Sequence, residues 1–187
     1  MKNVLLFISV LLLAYIIVGC HTKMSKEEMA RARITDNKEE FIRILRSTGR
    51  PGMENVIRQL DTTDIYTLGA GGHHTKEGGL VQHSLEVYRI MKVLALFQKN
   101  ESIAIVALFH DMGKIDKGGY HTWRSVKHLK EWGLEMTDKE YIAIFRHHNL
   151  ETKYARNPLY RALVVSDAIS TGWWKLWHKK APKNQDV

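Results

Sequence analysis

A chain of 187 residues has the length of one domain with a small appendage, and with 44% hydrophobic side chains it has enough apolar surface to bury a core. Its single cysteine, Cys20, excludes a disulfide framework. The formal charge of +8 favours anionic partners such as nucleotides, nucleic acid or a lipid headgroup surface, the alternative being ordinary solvated Lys and Arg faces. Ten histidines is a high count for this length.

The chain opens with Met1-Lys2-Asn3 and an unbroken apolar run from Val4 to Gly19. A run so hydrophobic and so terminal reads as a targeting or anchoring segment. It ends Ile17-Val18-Gly19-Cys20, which resembles a bacterial lipobox and makes Cys20 a lipidation site on the mature N-terminus. Lys23, Lys26, Arg31 and Arg33 after the run outweigh Lys2 before it, and by the positive-inside rule this favours an uncleaved anchor with the domain in the cytoplasm. The run is near the short limit of roughly 17 residues for spanning a bilayer. Met24 offers a third possibility, a cytoplasmic protein whose translation starts there. The segments expected are therefore 1–20 as anchor, 21–50 as a helical lead-in, 51–172 as the main domain and 173–187 as a tail.

Helix signals follow one another. Ser25-Lys26-Glu27-Glu28 and Asp36-Asn37-Lys38-Glu39 each carry the N-cap and N3-glutamate pattern of a helix start. The second predicts a helix through Phe41, Ile42, Ile44 and Leu45 that stops at Gly49-Arg50-Pro51-Gly52. Met53, Val56, Ile57 and Leu60 make a short helix, and residues 61–72 are irregular. Gly78-Gly79 opens a helix from Leu80 to about Phe97 with Leu80, Val87, Ile90, Met91 and Leu94 as its buried stripe and His83 on the same side. The apolar helix of Ser102 to Phe109 ends in His110-Asp111, where Gly113 is expected to stop it in the left-handed conformation and Lys114 to lie free for an anion. Thr122 caps a helix through Trp132. Thr137-Asp138-Lys139-Glu140 is a capping box for the helix that ends at Arg146-His147-His148. Asn157-Pro158 starts the last helix, which runs to Asp167. No sustained two-residue alternation is present, so the fold class is all-α. The tail mixes Trp173, Trp174 and Trp177 with lysines, a composition for packing on the core or for touching a membrane or nucleic acid bases.

His83, His110, Asp111 and Asp167 are polar residues on the inner sides of these helices. A carboxylate on an apolar helix face is costly unless it is paired or bound to a cation. Two imidazoles and two carboxylates make a mixed nitrogen and oxygen site suited to Mn, Fe, Co, Ni or Zn. His121 and the pair His147-His148 add nitrogens for a second ion, with Asp111 as a bridge, so one or two ions per chain are expected. No glycine-rich phosphate loop is present, since Gly78-Gly79 lacks the following Gly-Lys-Ser/Thr.

The order H…HD…D, with Gly-Gly-Leu-x-x-His at 78–83 and His-Asp-x-Gly-Lys at 110–114, resembles the HD superfamily of metal-dependent phosphohydrolases. The likeness runs from about Pro51 to Thr171, through HHTKEGGLVQHSLEVY, SIAIVALFHDMGK, HTWRSVKHL, AIFRHH and ALVVSDAIS. It implies a single helical HD-type domain in which His83, His110, Asp111 and Asp167 are the core metal ligands. His121 and His147 match the additional histidines of two-metal branches, and His148 replaces or supplements His147. It further implies hydrolysis by a metal-activated water, with Asp111 bridging, Lys114 neutralising phosphate charge and His73 contacting substrate or protonating the leaving oxygen. His74, His128 and His178 are expected to be incidental. Gly79 stands where the cyclic-di-GMP-degrading branch has a glutamate ligand, which argues against a three-metal site. The resembling exoribonuclease branch has a separate oligonucleotide-binding domain for which this chain has no room. The expected function is hydrolysis of a nucleotide or other small phosphoester. The alternatives are a phosphodiesterase acting on single-stranded nucleic acid ends and a membrane-tethered, non-catalytic metal-binding module. Oligomeric state is not legible.

Overall fold

A computed structural model describes residues 24–71, 74–149 and 151–172. The apolar run with Cys20, His73 and the Trp-rich tail lie outside the described residues. The chain divides into two compact units, Met1–Arg33 and Ile34–Val187. Seven α-helices and no strands are found among the described residues: α1 (Lys26–Ser47), α2 (Met53–Leu60), α3 (Gly79–Leu94), α4 (Asn100–Phe109), α5 (His121–Glu131), α6 (Asp138–Arg146) and α7 (Pro158–Ser170). Two 3₁₀ turns, Met112–Asp116 and Thr152–Arg156, follow α4 and precede α7. No helix among the described residues is long and apolar enough to cross a membrane.

In the first unit the Ser25 capping box forms as expected. The Glu28 amide donates to Ser25 Oγ (3.1 Å) and the Ser25 amide to Glu28 Oε2 (2.7 Å). The second capping signal fails, because α1 runs unbroken through Asp36-Asn37. Good helix formers lie on both sides, and a local cap offers too little to interrupt a hydrogen-bond ladder already in place.

The second unit is built around α4. Every residue from Ser102 to Phe109 is buried, as befits a helix that is apolar all round, and α3, α6 and α7 pack against it. Phe41 of α1 meets the rings of Phe109 and Tyr66 edge-on at 6.3 and 6.4 Å. Thr137 and Glu140 form the full capping box of α6. Asn157 Oδ1 accepts from the amides of Leu159 and Tyr160 behind Pro158, fixing the start of α7. That helix continues beyond Asp167 to Ser170.

Helix α3 ends at Leu94, short of the expected Phe97. Leu94 is therefore exposed, as are Val93, Leu96 and Phe97, and the buried face is instead made by Leu80, Val81, Leu85, Val87 and Met91. Helix α5 begins at His121, with Tyr120 rather than Thr122 at its cap.

Gly113 is not left-handed; it lies inside the first 3₁₀ turn. Its role is room: a Cβ there would lie 2.1 Å from the His121 carbonyl oxygen and 2.7 Å from Arg124 Cβ. The turn after α4 can approach α5 this closely only without a side chain.

Candidate metal centre

Two of the histidines are placed by the ends of helices. His110 is the C-cap of α4 and His147 the C-cap of α6. The last carbonyls of a helix have no partner in the helix itself, and each imidazole uses one of them. His110 Nδ1 is 2.9 Å from the Ala107 carbonyl oxygen and His147 Nδ1 is 2.7 Å from that of Ile144. A carbonyl only accepts, so in both rings Nδ1 carries the proton and Nε2 presents its lone pair to the interior.

These lone pairs converge on Asp111. Its Oδ2 lies 3.6 Å from His110 Nε2 and 3.7 Å from His83 Nε2, and its Oδ1 lies 3.0 Å from His121 Nε2 and 3.7 Å from His147 Nε2. His83 Nε2 is also 3.2 Å from His110 Nε2 and 3.2 Å from Asp167 Oδ1. His121 and His148 meet through Nε2 at 3.0 Å. Ligand-type atoms fall into groups of metal-binding size: His83, His110 and Asp111; Asp111, His121, His147 and His148; and His110, His147 and Asp167. Asp111 belongs to two of them. The structure thus gathers every metal-ligand candidate of the sequence, with both His147 and His148 in one group.

The electrostatics suit a cation. Asp111 Oδ1 and His147 Nε2 are fully buried and make no hydrogen bond, a costly state for polar atoms that a bound positive ion would relieve. His83 Nε2 lies 3.2 Å from both His110 Nε2 and Asp167 Oδ1, so ligand-type atoms crowd one another here. These donors and the burial fit a divalent transition metal.

Burial alone would raise the Asp111 carboxyl, but His110, His121, His147 and Lys114 outweigh it and hold it well below the usual range. Burial, reinforced by neighbouring imidazoles, pushes His110 down to about 4. His148 is likewise lowered to about 4 by burial together with His147 and His121. Both rings are neutral near pH 7, the form in which imidazole binds metals.

Lys114 is not free. Its ammonium donates to Asp111 Oδ2 and, at 2.8 Å, to the Ala70 carbonyl, which ties the loop before α3 to the centre. His74, expected to be incidental, sits in that loop with its ring 5.4 Å from that of His83 and its Nε2 3.2 Å from Glu86 Oε2. The loop closes tightly because Gly79 has no side chain, a Cβ there falling 2.1 Å from the His74 carbonyl oxygen. The doublet His73-His74 held the only signal for His74, and it could not say which ring faces inward. His128 pairs with Asp116 at 2.7 Å and stacks on Trp132, apart from these groups.

The helical domain thus gathers histidines and aspartates from α3, α4, α5, α6 and α7 into groups able to hold a metal ion. Residues 80–170 match the family model of the HD domain. Over that span the chain carries an HD domain, consistent with a superfamily of metal-dependent hydrolases. No curated protein and no solved structure matches the chain.

Proposed function

We propose that this protein is a metal-dependent phosphohydrolase that cleaves a nucleotide or another small phosphoester. The observation that carries the reading is the sharing of Asp111 between two groups of ligand-type atoms. His83, His110 and Asp167 would hold one ion with Asp111, and His121, His147 and His148 would hold a second. When bound, divalent ions supply an acidified water and polarise the phosphoryl oxygens. The chain's own residues do the rest. The backbone bonds of His110 and His147 keep their rings in the binding tautomer, and Asp111 holds the two groups in register. Lys114, next to Asp111, places a positive charge for the phosphate. Residues 1–20 hold the domain at a membrane, a role supported by the apolar run Val4–Gly19.

The test is metal content and hydrolysis of an aryl phosphodiester by the full chain in detergent, purified without chelator and supplied with Mn, Co, Ni or Zn. The expected result is bound metal, activity with at least one ion, and loss of both in a folded Asp111→Ala variant. One ion per chain would confine His121, His147 and His148 to substrate or supporting roles. Folded wild-type protein that takes up no metal and stays inactive would refute the proposal.

A further inference from the structure

Three histidines of the centre need the same thing, a partner that keeps the proton on Nδ1 and leaves Nε2 bare. His110 and His147 obtain it from free carbonyls at helix ends. His83 cannot. It lies inside α3, where the carbonyls one turn back, those of Gly79 and Leu80, are taken by the helix's own amides.

The chain supplies a substitute from 87 residues away. His83 Nδ1 is 3.1 Å from Ser170 Oγ, and the Ser170 hydroxyl donates to Glu86 Oε2 at 3.0 Å. A carboxylate only accepts, so the single hydroxyl proton of Ser170 goes to Glu86. The serine oxygen is then the acceptor for His83 Nδ1–H, and the lone pair of His83 falls on Nε2. That is the atom 3.2 Å from Asp167 Oδ1 and 3.7 Å from Asp111 Oδ2. Glu86 is itself held: Gln82 Nε2 donates to its Oε1 at 3.0 Å, and His74 Nε2 lies 3.2 Å from its Oε2.

From this geometry we infer that Ser170 and Glu86 are positioning residues that fix the tautomer and ring angle of His83 for metal binding. Outer partners of this kind commonly set metal affinity within a factor of about 10–100. The arrangement also ties the end of α7, three residues past Asp167, to α3, so the elements that carry Asp167 and His83 are locked by one hydroxyl. The inference rests on the metal-centre reading, and its test separates the two.

The experiment uses the full chain in detergent and measures Co(II) affinity by visible absorption, without turnover. Wild type is compared with Ser170→Ala, Ser170→Thr and Glu86→Gln. In parallel, ¹⁵N-histidine NMR of metal-free protein reads the His83 tautomer, assigned by difference from His83→Gln. We expect Ser170→Ala to weaken Co(II) binding about 10–100-fold and to mix the His83 tautomers. Ser170→Thr, which keeps the hydroxyl, restores both. Glu86 is half-exposed, so Glu86→Gln remains informative where Ser170→Ala fails to fold, and it is expected to weaken binding in the same direction. Wild-type affinity in both Ser170→Ala and Glu86→Gln, or an unchanged Nδ1–H tautomer in Ser170→Ala, overturns the inference alone. Wild-type protein that binds no Co(II) overturns the metal centre and the positioning role with it.

Discussion

Replacing Arg50 by alanine tests a tie that spans 90 residues of the chain. The Arg50 guanidinium forks onto Glu140, with Nη1 3.0 Å from Oε2 and Nη2 2.8 Å from Oε1, and Nη1 also donates to the Glu135 carbonyl at 3.0 Å. Glu140 has no exposed side-chain surface and Arg50 only 11%. Arg50→Ala leaves the carboxylate buried with the Thr137 amide as its remaining capping partner. The fold can escape an unpaired charge by protonating it. For a carboxyl of ordinary value 4.5 that costs about 3.4 kcal/mol at pH 7, which caps the charge penalty. Adding about 1 kcal/mol for the lost bond to Glu135 gives a destabilisation of up to about 4.4 kcal/mol, within the usual range for breaking a buried pair. The pH dependence follows in sign. Burial would raise Glu140, but Arg50 leads the groups that lower it. Its contribution in the wild type is thus fully present above 4.5 and is lost as pH falls through the depressed folded value. The variant lacks that contribution, so the two proteins converge in acid, with the charge penalty down to about 0.7 kcal/mol at pH 5. Urea unfolding of both proteins at pH 7 and pH 5 checks this. A difference below about 1 kcal/mol at pH 7, or one that does not shrink at pH 5, would refute the reasoning.

Gly113→Ala forces two backbone segments apart and should cost about 2–3 kcal/mol, seen as a fall in melting temperature of about 5–10 °C; a melt matching wild type would show that the turn has slack. Metal-free protein should lose at least about 3 kcal/mol between pH 6.5 and pH 4. His110, lowered by burial to about 4, takes up its proton only after the unfolded chain has done so, and stability drops through that window. Urea melts of chelated protein that are flat from pH 6.5 to 4 would contradict it. Adding metal at about 100 times its dissociation constant should return about 2.7 kcal/mol at pH 7, read as a rise in the urea midpoint that chelator reverses. Lys114→Met should lower kcat/KM on a phosphoester about 100-fold, and a change of less than about twofold would remove Lys114 from the chemistry.

Features governed by neighbours in the chain were legible before the structure. The capping boxes at Ser25 and Thr137 and the Asn157-Pro158 start obey local rules, and the apolar run into His110-Asp111 marked the central helix. The convergence of His83, His110, Asp111 and Asp167 was legible because charged or ligating residues on apolar helix faces need a reason. What failed depends on distant partners. Gly113 is a contact with α5, not a backbone conformation. The Asp36 signal was correct chemistry in the wrong context, inside a helix already running. Arg50 meets Glu140 across 90 residues and His83 meets Ser170 across 87, and no periodicity announces such pairs.

His110 and His147 sit at helix ends, and the ends themselves carry charge. The carboxyl termini of α4 and α6 face the same carboxylate, and each brings roughly half a negative elementary charge from its aligned peptide dipoles. Together with Asp111 and Asp167 they make a local well for cations within a chain whose formal charge is +8. Lys114 offsets only part of it. On the proposed function, an anion approaching this well would be repelled until positive ions were seated, so the order of binding would be cation first, phosphate second. Measured phosphate affinity should therefore rise with metal occupancy rather than with the basic surface of the protein.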